Sequence, residues 1–171
     1  MRANILNNAY YKLNNYMLEV FVLDYNMDMN YCPQFRQINR LTDLLVKAMK
    51  AERHDTVKYG RMMAAAKNEE VKRQIKFAYD DEIKHYKMFN QMYTQLTGKK
   101  IDIPLPTDIE KYNNMMEAVQ SSIEGESEAV DLYREIYALM SIRQMRDKVF
   151  EIITDEQEHF GRFIYLYAML K

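Results

Sequence analysis

The feature that most constrains this chain is that it repeats itself. The stretch Asp81-Glu82-Ile83-Lys84-His85 returns as Asp155-Glu156-Gln157-Glu158-His159. A shift of 74 positions (82 to 156) lays the two stretches on each other. Without a gap, it also pairs Glu52 with Glu126, Tyr59 with Tyr133, Ala64 with Ala138, Tyr93 with Tyr167 and Leu96 with Leu170. A repeat this long is a structural unit, and it predicts a helical hairpin present twice. Four Gly and three Pro in 171 residues, beside 14 Met, favour helix over sheet.

Pro33 marks the start of a first helix at about 35–66. Its stripe, Leu41, Leu45, Ala48, Glu52, Thr56, Tyr59, Met63 and Ala66, recurs at spacings of three and four. Asn68 is a good N-cap for a second helix, with Glu69 and Glu70 in its first turn. That helix carries Ile75, Ala78, Glu82, His85, Phe89, Met92 and Leu96 and ends near Gly98. Residues 98–107, with Pro104 and Pro106, read as a long connection. Thr107-x-x-Glu110 reads as a capping box opening a third helix, whose stripe is Met115, Val119, Ser122, Glu126, Ala129, Tyr133, Ile136 and Met140. Ser141 reads as the N-cap of a fourth, with Val149, Ile152, Glu156, His159, Phe163, Leu166 and Leu170. The expected fold is all-α: an antiparallel four-helix bundle of two duplicated hairpins, about 35–97 and 108–170, joined by a long crossover.

In an antiparallel hairpin, residues equally far from the turn lie at one level. The midpoint of Glu52 and Glu82 is residue 67, beside Asn68, and that of Glu126 and Glu156 is Ser141. Within each Glu-x-x-His the two side chains share a helix face. Four glutamates and two histidines therefore meet at one height, on stripes without Lys or Arg. Four carboxylates buried without cations would be very unfavourable. Two divalent cations would neutralise them, and carboxylate with imidazole is a donor set that transition metals accept.

This pattern resembles the ferritin-like di-iron carboxylate proteins, in which two helices each give one Glu and the other two each give Glu-x-x-His. Within them it is most similar to the stand-alone, rubrerythrin-like proteins of bacteria, over residues 36–170. The resemblance implies two Fe ions, or two Mn ions as the alternative. Glu52 and His85 would hold one, Glu126 and His159 the other, and Glu82 and Glu156 would bridge. It implies that Asp81 and Asp155 each accept an N–H from the His of the opposite Glu-x-x-His helix. Tyr59 and Tyr133 either donate to a carboxylate oxygen or fill the core. There are two departures. Ala129 stands where rubrerythrins carry a further Glu, which speaks against peroxide chemistry by a ligand switch, although Asp55 holds the equivalent place on the first helix. Cys32 is the only cysteine in this sequence, so no rubredoxin module, internal disulfide or four-Cys site is expected, and electrons are expected from an external donor.

The resemblance implies an oxidoreductase that reacts with O2 or H2O2, as a ferroxidase or a rubrerythrin-like peroxide scavenger, with a homodimer as the expected assembly. A dimanganese catalase is the alternative within the class. An alternative from another class is a structural, spore-coat-associated protein whose metal site mainly stabilises the bundle. Residues 1–32 motivate it, being rich in Asn (Asn4, Asn7, Asn8, Asn14, Asn15, Asn26, Asn30) and Tyr (Tyr10, Tyr11, Tyr16, Tyr25, Tyr31). Similar leaders occur on ferritin-like proteins of spore-forming bacteria. This arm lies outside the repeat and reads as an appendage to a 33–171 bundle, with Met17 to Tyr25 apolar enough to pack on it. His54 lies on another face and reads as a surface residue, Glu124 and Glu128 point away from the stripe and read as poor ligands, and the pairs Met62–Met63 and Met115–Met116 read as packing. A net charge of −1 with interspersed signs gives no polyanion-binding surface, so nucleic acid is not an expected partner. No apolar run reaches a membrane span, and the start has no signal-peptide pattern. The expected location is cytoplasmic or spore-associated.

Overall fold

The protein is described by a computed structural model covering residues 33–171, so the 1–32 arm and Cys32 lie outside the described residues. Four α-helices follow in order: α1 (Pro33–Ala65), α2 (Glu69–Thr97), α3 (Met115–Leu139) and α4 (Arg143–Leu170). Among the described residues there is no strand, and no helix is long and apolar enough to cross a membrane. The helices form a four-helix bundle in which α1 packs on α2 and α3, and α4 packs on α3 and α2.

Two apolar layers hold the bundle together. One gathers Leu45, Met49, Phe89, Tyr133, Ile136 and Ile152; the other gathers Tyr59, Ile75, Val119, Phe163 and Leu166. The aromatic pairs Phe89–Tyr133 and Tyr59–Phe163, with ring centroids 4.9 and 5.1 Å apart, anchor them. Layer membership also sets direction. α1 and α4 run from the first layer to the second, while α2 and α3 run from the second to the first. Residues 98–114 must therefore return along the bundle between the end of α2 and the start of α3.

Local chemistry fixes several of the boundaries. Asn68 caps α2, its side chain accepting from the N–H groups of Glu70 and Val71. Gly98 ends that helix at φ 72°, a left-handed conformation that glycine adopts without a Cβ penalty. The third helix starts later than Thr107-x-x-Glu110 suggests. Asn114 is its N-cap, accepting from the Glu117 N–H at 2.9 Å, while Glu117 reaches back to Asn113. Before that point the connection is irregular, and α1 and α2 hold its first part by its backbone. Arg53 donates to the Ile103 carbonyl and Asn90 to that of Ile101, and Tyr86 accepts the Ile103 N–H. Ser141 is not the cap of α4 either. The cap position is Ile142, which has no side-chain cap bond. On α1 it is Met62 rather than Met63 that is buried, and Ala66 lies past the helix end.

Replacing Asn114 by Ala is expected to cost about 1 kcal/mol of stability, as a lost N-cap does. Thr107→Ala should stay within about 0.5 kcal/mol of wild type. Urea unfolding of both variants checks the reassigned start of α3.

Candidate metal centre

Between the two apolar layers lies a polar one. Glu52, Glu82, Glu126 and Glu156 are at most 3% exposed, and His85 and His159 at most 1%. Each helix of the bundle contributes, and the repeat makes the contributions equivalent in pairs. Every one of the six side chains stands on its helix's core-facing stripe, so burying the stripe buries the donors with it.

The imidazoles face each other across the centre, with ring centroids 6.0 Å apart. His85 Nδ1 lies 2.9 Å from Glu156, 3.7 Å from Glu52 and 3.9 Å from Glu82. His159 Nδ1 lies 3.2 Å from Glu156, 3.5 Å from Glu82 and 3.8 Å from Glu126. The other nitrogen of each ring turns outward to a carboxylate across the bundle. His85 Nε2 is 3.1 Å from Asp155, and His159 Nε2 is 3.2 Å from Asp81. A neutral ring that gives its Nε2–H to aspartate presents the Nδ1 lone pair inward, as a metal ligand must.

The tyrosines also cross between the hairpins. Tyr59 donates to Glu126 at 2.5 Å, and Tyr133 donates to Glu52. Each lone glutamate is thus held by the tyrosine of the other repeat. At the solvent edge the symmetry breaks. Lys84 bonds Glu151 at 2.8 Å and Asp155 at 3.0 Å and stands 3.9 Å from Asp81, whereas its repeat mate Glu158 pairs with Arg162.

The donor set sorts into two groups able to hold an ion. Glu52, Glu82, His85 and Glu156 form one, and Glu82, Glu126, Glu156 and His159 the other, with ligand atoms of each within 4.8 Å of one another. Glu82 and Glu156 belong to both. The residues fit two cations on a further ground. Glu52 Oε2, Glu82 Oε1, His85 Nδ1 and Glu156 Oε1 are buried and make no hydrogen bond. The close pair His85 Nδ1 and Glu156 Oε1 does not have hydrogen-bond geometry. Leaving such atoms unpaired costs about 1–3 kcal/mol each, and more where they are charged.

Without metal, protons supply the missing positive charge. Burial pushes the carboxyls of Glu82 and Glu126 well up, and the neighbouring Glu156 adds to it. Burial alone would lower His85, but Asp155, Glu156 and Glu52 outweigh it and hold the imidazole at about 11. His159 is raised further by Asp81 and the surrounding glutamates. Burial acts against ionising Glu156, yet the two imidazoles hold it well below the usual carboxylate range. Tyr59 and Tyr133 are raised by burial and by the glutamates, so they remain hydrogen-bond donors.

The other sequence candidates fall away from the centre. His54 is half-buried rather than on the surface, bonded to Asp55 at 2.9 Å and to Glu110 at 2.7 Å. That pairing also occupies Asp55. Glu124 and Glu128 are exposed, and Ala129 packs beside the first layer. Sequence periodicity missed Lys58. It lies beside Tyr59 off the stripe, yet is only 3% exposed because the returning connection covers that flank with Tyr112.

No family model matches this chain, and no solved structure does. A relative, Uncharacterized protein YhjR of Bacillus subtilis (strain 168), is 29% identical over 142 residues, covering 81% of this chain and 97% of its own length.

The proton positions set a pH dependence for the metal-free chain. The folded state keeps protons on Glu82 and Glu126 above 4.5, and on His85 and His159 above 6.5, where the unfolded chain releases them. Stability therefore falls as pH rises, and the His85 share is lost on passing about 11. Urea midpoints in chelator should drop between about pH 6 and about pH 9. Adding divalent metal near neutral pH should release protons, read with an indicator dye in weak buffer.

Proposed function

We propose that this chain is a two-metal carboxylate protein of the ferritin-like, rubrerythrin-like kind, which binds two iron ions and reacts with O2 or H2O2. The observation that carries the reading is the pair of overlapping donor groups sharing Glu82 and Glu156, within a buried layer four of whose inward atoms make no hydrogen bond. Glu52 and His85 would hold one ion, Glu126 and His159 the other, with Glu82 and Glu156 common to both. Four carboxylates balance two divalent cations, so the layer becomes neutral once its protons are displaced. When bound, the iron pair supplies the electrons that reduce the oxidant.

The protein's own part is positional. Asp81 and Asp155 keep the Nε2 proton on each imidazole and fix the ring's rotation. Tyr133 and Tyr59 donate to Glu52 and Glu126, restraining the two carboxylates that serve one ion each. The apolar layers on either side exclude water, which strengthens every charge interaction between them. With Ala129 in place of a further glutamate, α3 offers no additional carboxylate one turn from Glu126, so the reading favours iron oxidation over ligand-switching peroxide turnover. Dimanganese chemistry is the alternative with the same ligands.

Stopped-flow oxidation of Fe(II) by O2 and by H2O2 tests this. The protein should accelerate one of them at least about tenfold over free Fe(II), and Glu52→Ala or Glu126→Ala should abolish the gain. Oxidation no faster than in buffer contradicts the iron reading. H2O2 disproportionation by the manganese-loaded chain would move the assignment to the catalase alternative.

A further inference from the structure

A second feature lies outside the metal layer, at the end of the bundle where α1 turns into α2. A cavity of about 770 Å³ opens there between that turn, the end of the connection, the start of α3 and the last residues of α4. Its volume falls in the range of small-molecule pockets, roughly 300–1,000 Å³. The deeper wall is apolar, made by Met62, Val71, Ala118 and Leu170, of which the first three are buried.

The polar side of the wall is basic. Lys58 lines the cavity, is 3% exposed, and gives one hydrogen bond, to Ser121 Oγ at 3.2 Å. No carboxylate among the described residues lies within ion-pair distance of it. Burial pushes its ammonium down, against the more distant pull of Asp55 and Glu110. The Tyr112 and Tyr59 rings, 5.4 and 6.0 Å from the ammonium, offset part of its burial, and an anion would offset the rest. Arg61, Lys67 and Lys111 ring the same cavity. Glu110 is the one acidic residue in the lining, and it is already engaged by His54 at 2.7 Å and Tyr112 at 3.0 Å.

We propose that this cavity binds a single-chain amphiphile with a carboxylate head, the head on Lys58 and the apolar chain among Met62, Val71, Ala118 and Leu170. The head has one buried ammonium as its partner, while Arg61, Lys67 and Lys111 stand on the exposed rim. The exposed basic rim draws the anion in, and the apolar wall rewards a tail over a bare carboxylate. The site stands independently of the metal centre, since none of its residues belongs to either ion-binding group.

Calorimetric titration of the full chain with decanoate, decanol and decylammonium tests this. Decanoate should bind one per chain, decanol at least about tenfold more weakly, and decylammonium not measurably, since a hydrogen bond to a charged group is worth about that factor. Lys58→Met, with helix content checked by circular dichroism, should lose about tenfold in decanoate affinity and leave decanol unchanged. If Lys58→Met fails to fold, the surface pair Lys67→Glu/Lys111→Glu decides, and it should weaken decanoate by a smaller factor. No saturable decanoate binding, equal affinity for decanoate and decanol, or binding unmoved by these substitutions would overturn the proposal.

Discussion

Four carboxylates at one level inside a bundle are the constraint that the rest of this protein answers to. Each would leave the core for water if its helix could rotate, and none can, because the same stripe carries Leu45, Ile75, Val119 and Ile152 above and below. Hydrophobic burial of about 1.5–3 kcal/mol per large side chain holds the glutamates in place. The cost is offset locally by protons, by the two imidazoles and by the two tyrosine hydroxyls. Two divalent cations would meet the same demand with fewer unpaired atoms.

The duplication supplies a symmetric answer. Four hydrogen bonds of the centre cross from one hairpin to the other: Tyr59 to Glu126, Tyr133 to Glu52, His85 to Asp155 and His159 to Asp81. A single hairpin thus holds half of each hydrogen-bonded pair and can neither satisfy nor shield its own donors. The two hairpins are joined energetically at the level where their chemistry lies, which makes the polar layer part of what specifies their register. The symmetry is relaxed at the solvent edge, where Lys84 and Glu158 occupy equivalent positions with opposite charge, and within the layer, where His159 Nδ1 bonds Glu156 and His85 Nδ1 makes no hydrogen bond.

Much of this was legible in the sequence, for physical reasons that can be stated residue by residue. Helical period and distance from the turn fix face and height, so the convergence of Glu52, Glu82, His85, Glu126, Glu156 and His159 followed from spacing. Asn68 and Gly98 were readable because caps act locally. The connection was not readable, because it has no period. Its hydrogen bonds go to Arg53, Tyr86 and Asn90 on other elements, while Asn114 and Glu117 cap the start of α3. For the same reason Thr107 looked like a cap and Asn114 did not, and the burial of Lys58 left no mark on the chain. The crossed tyrosine bonds needed the relative placement of the hairpins. The Asn/Tyr-rich arm of residues 1–32 lies outside the described residues.

The central claim is that this polar layer is a metal site, and metal content tests it most directly. Protein purified without chelator should carry about two iron or manganese ions per chain, one for each ion-binding group. The Glu82→Ala/Glu156→Ala double variant, which removes the residues common to both groups, should carry none. A wild-type chain that folds fully, stays metal-free and takes up neither ion when offered it would contradict the account. The layer would then be a buried proton store and nothing more.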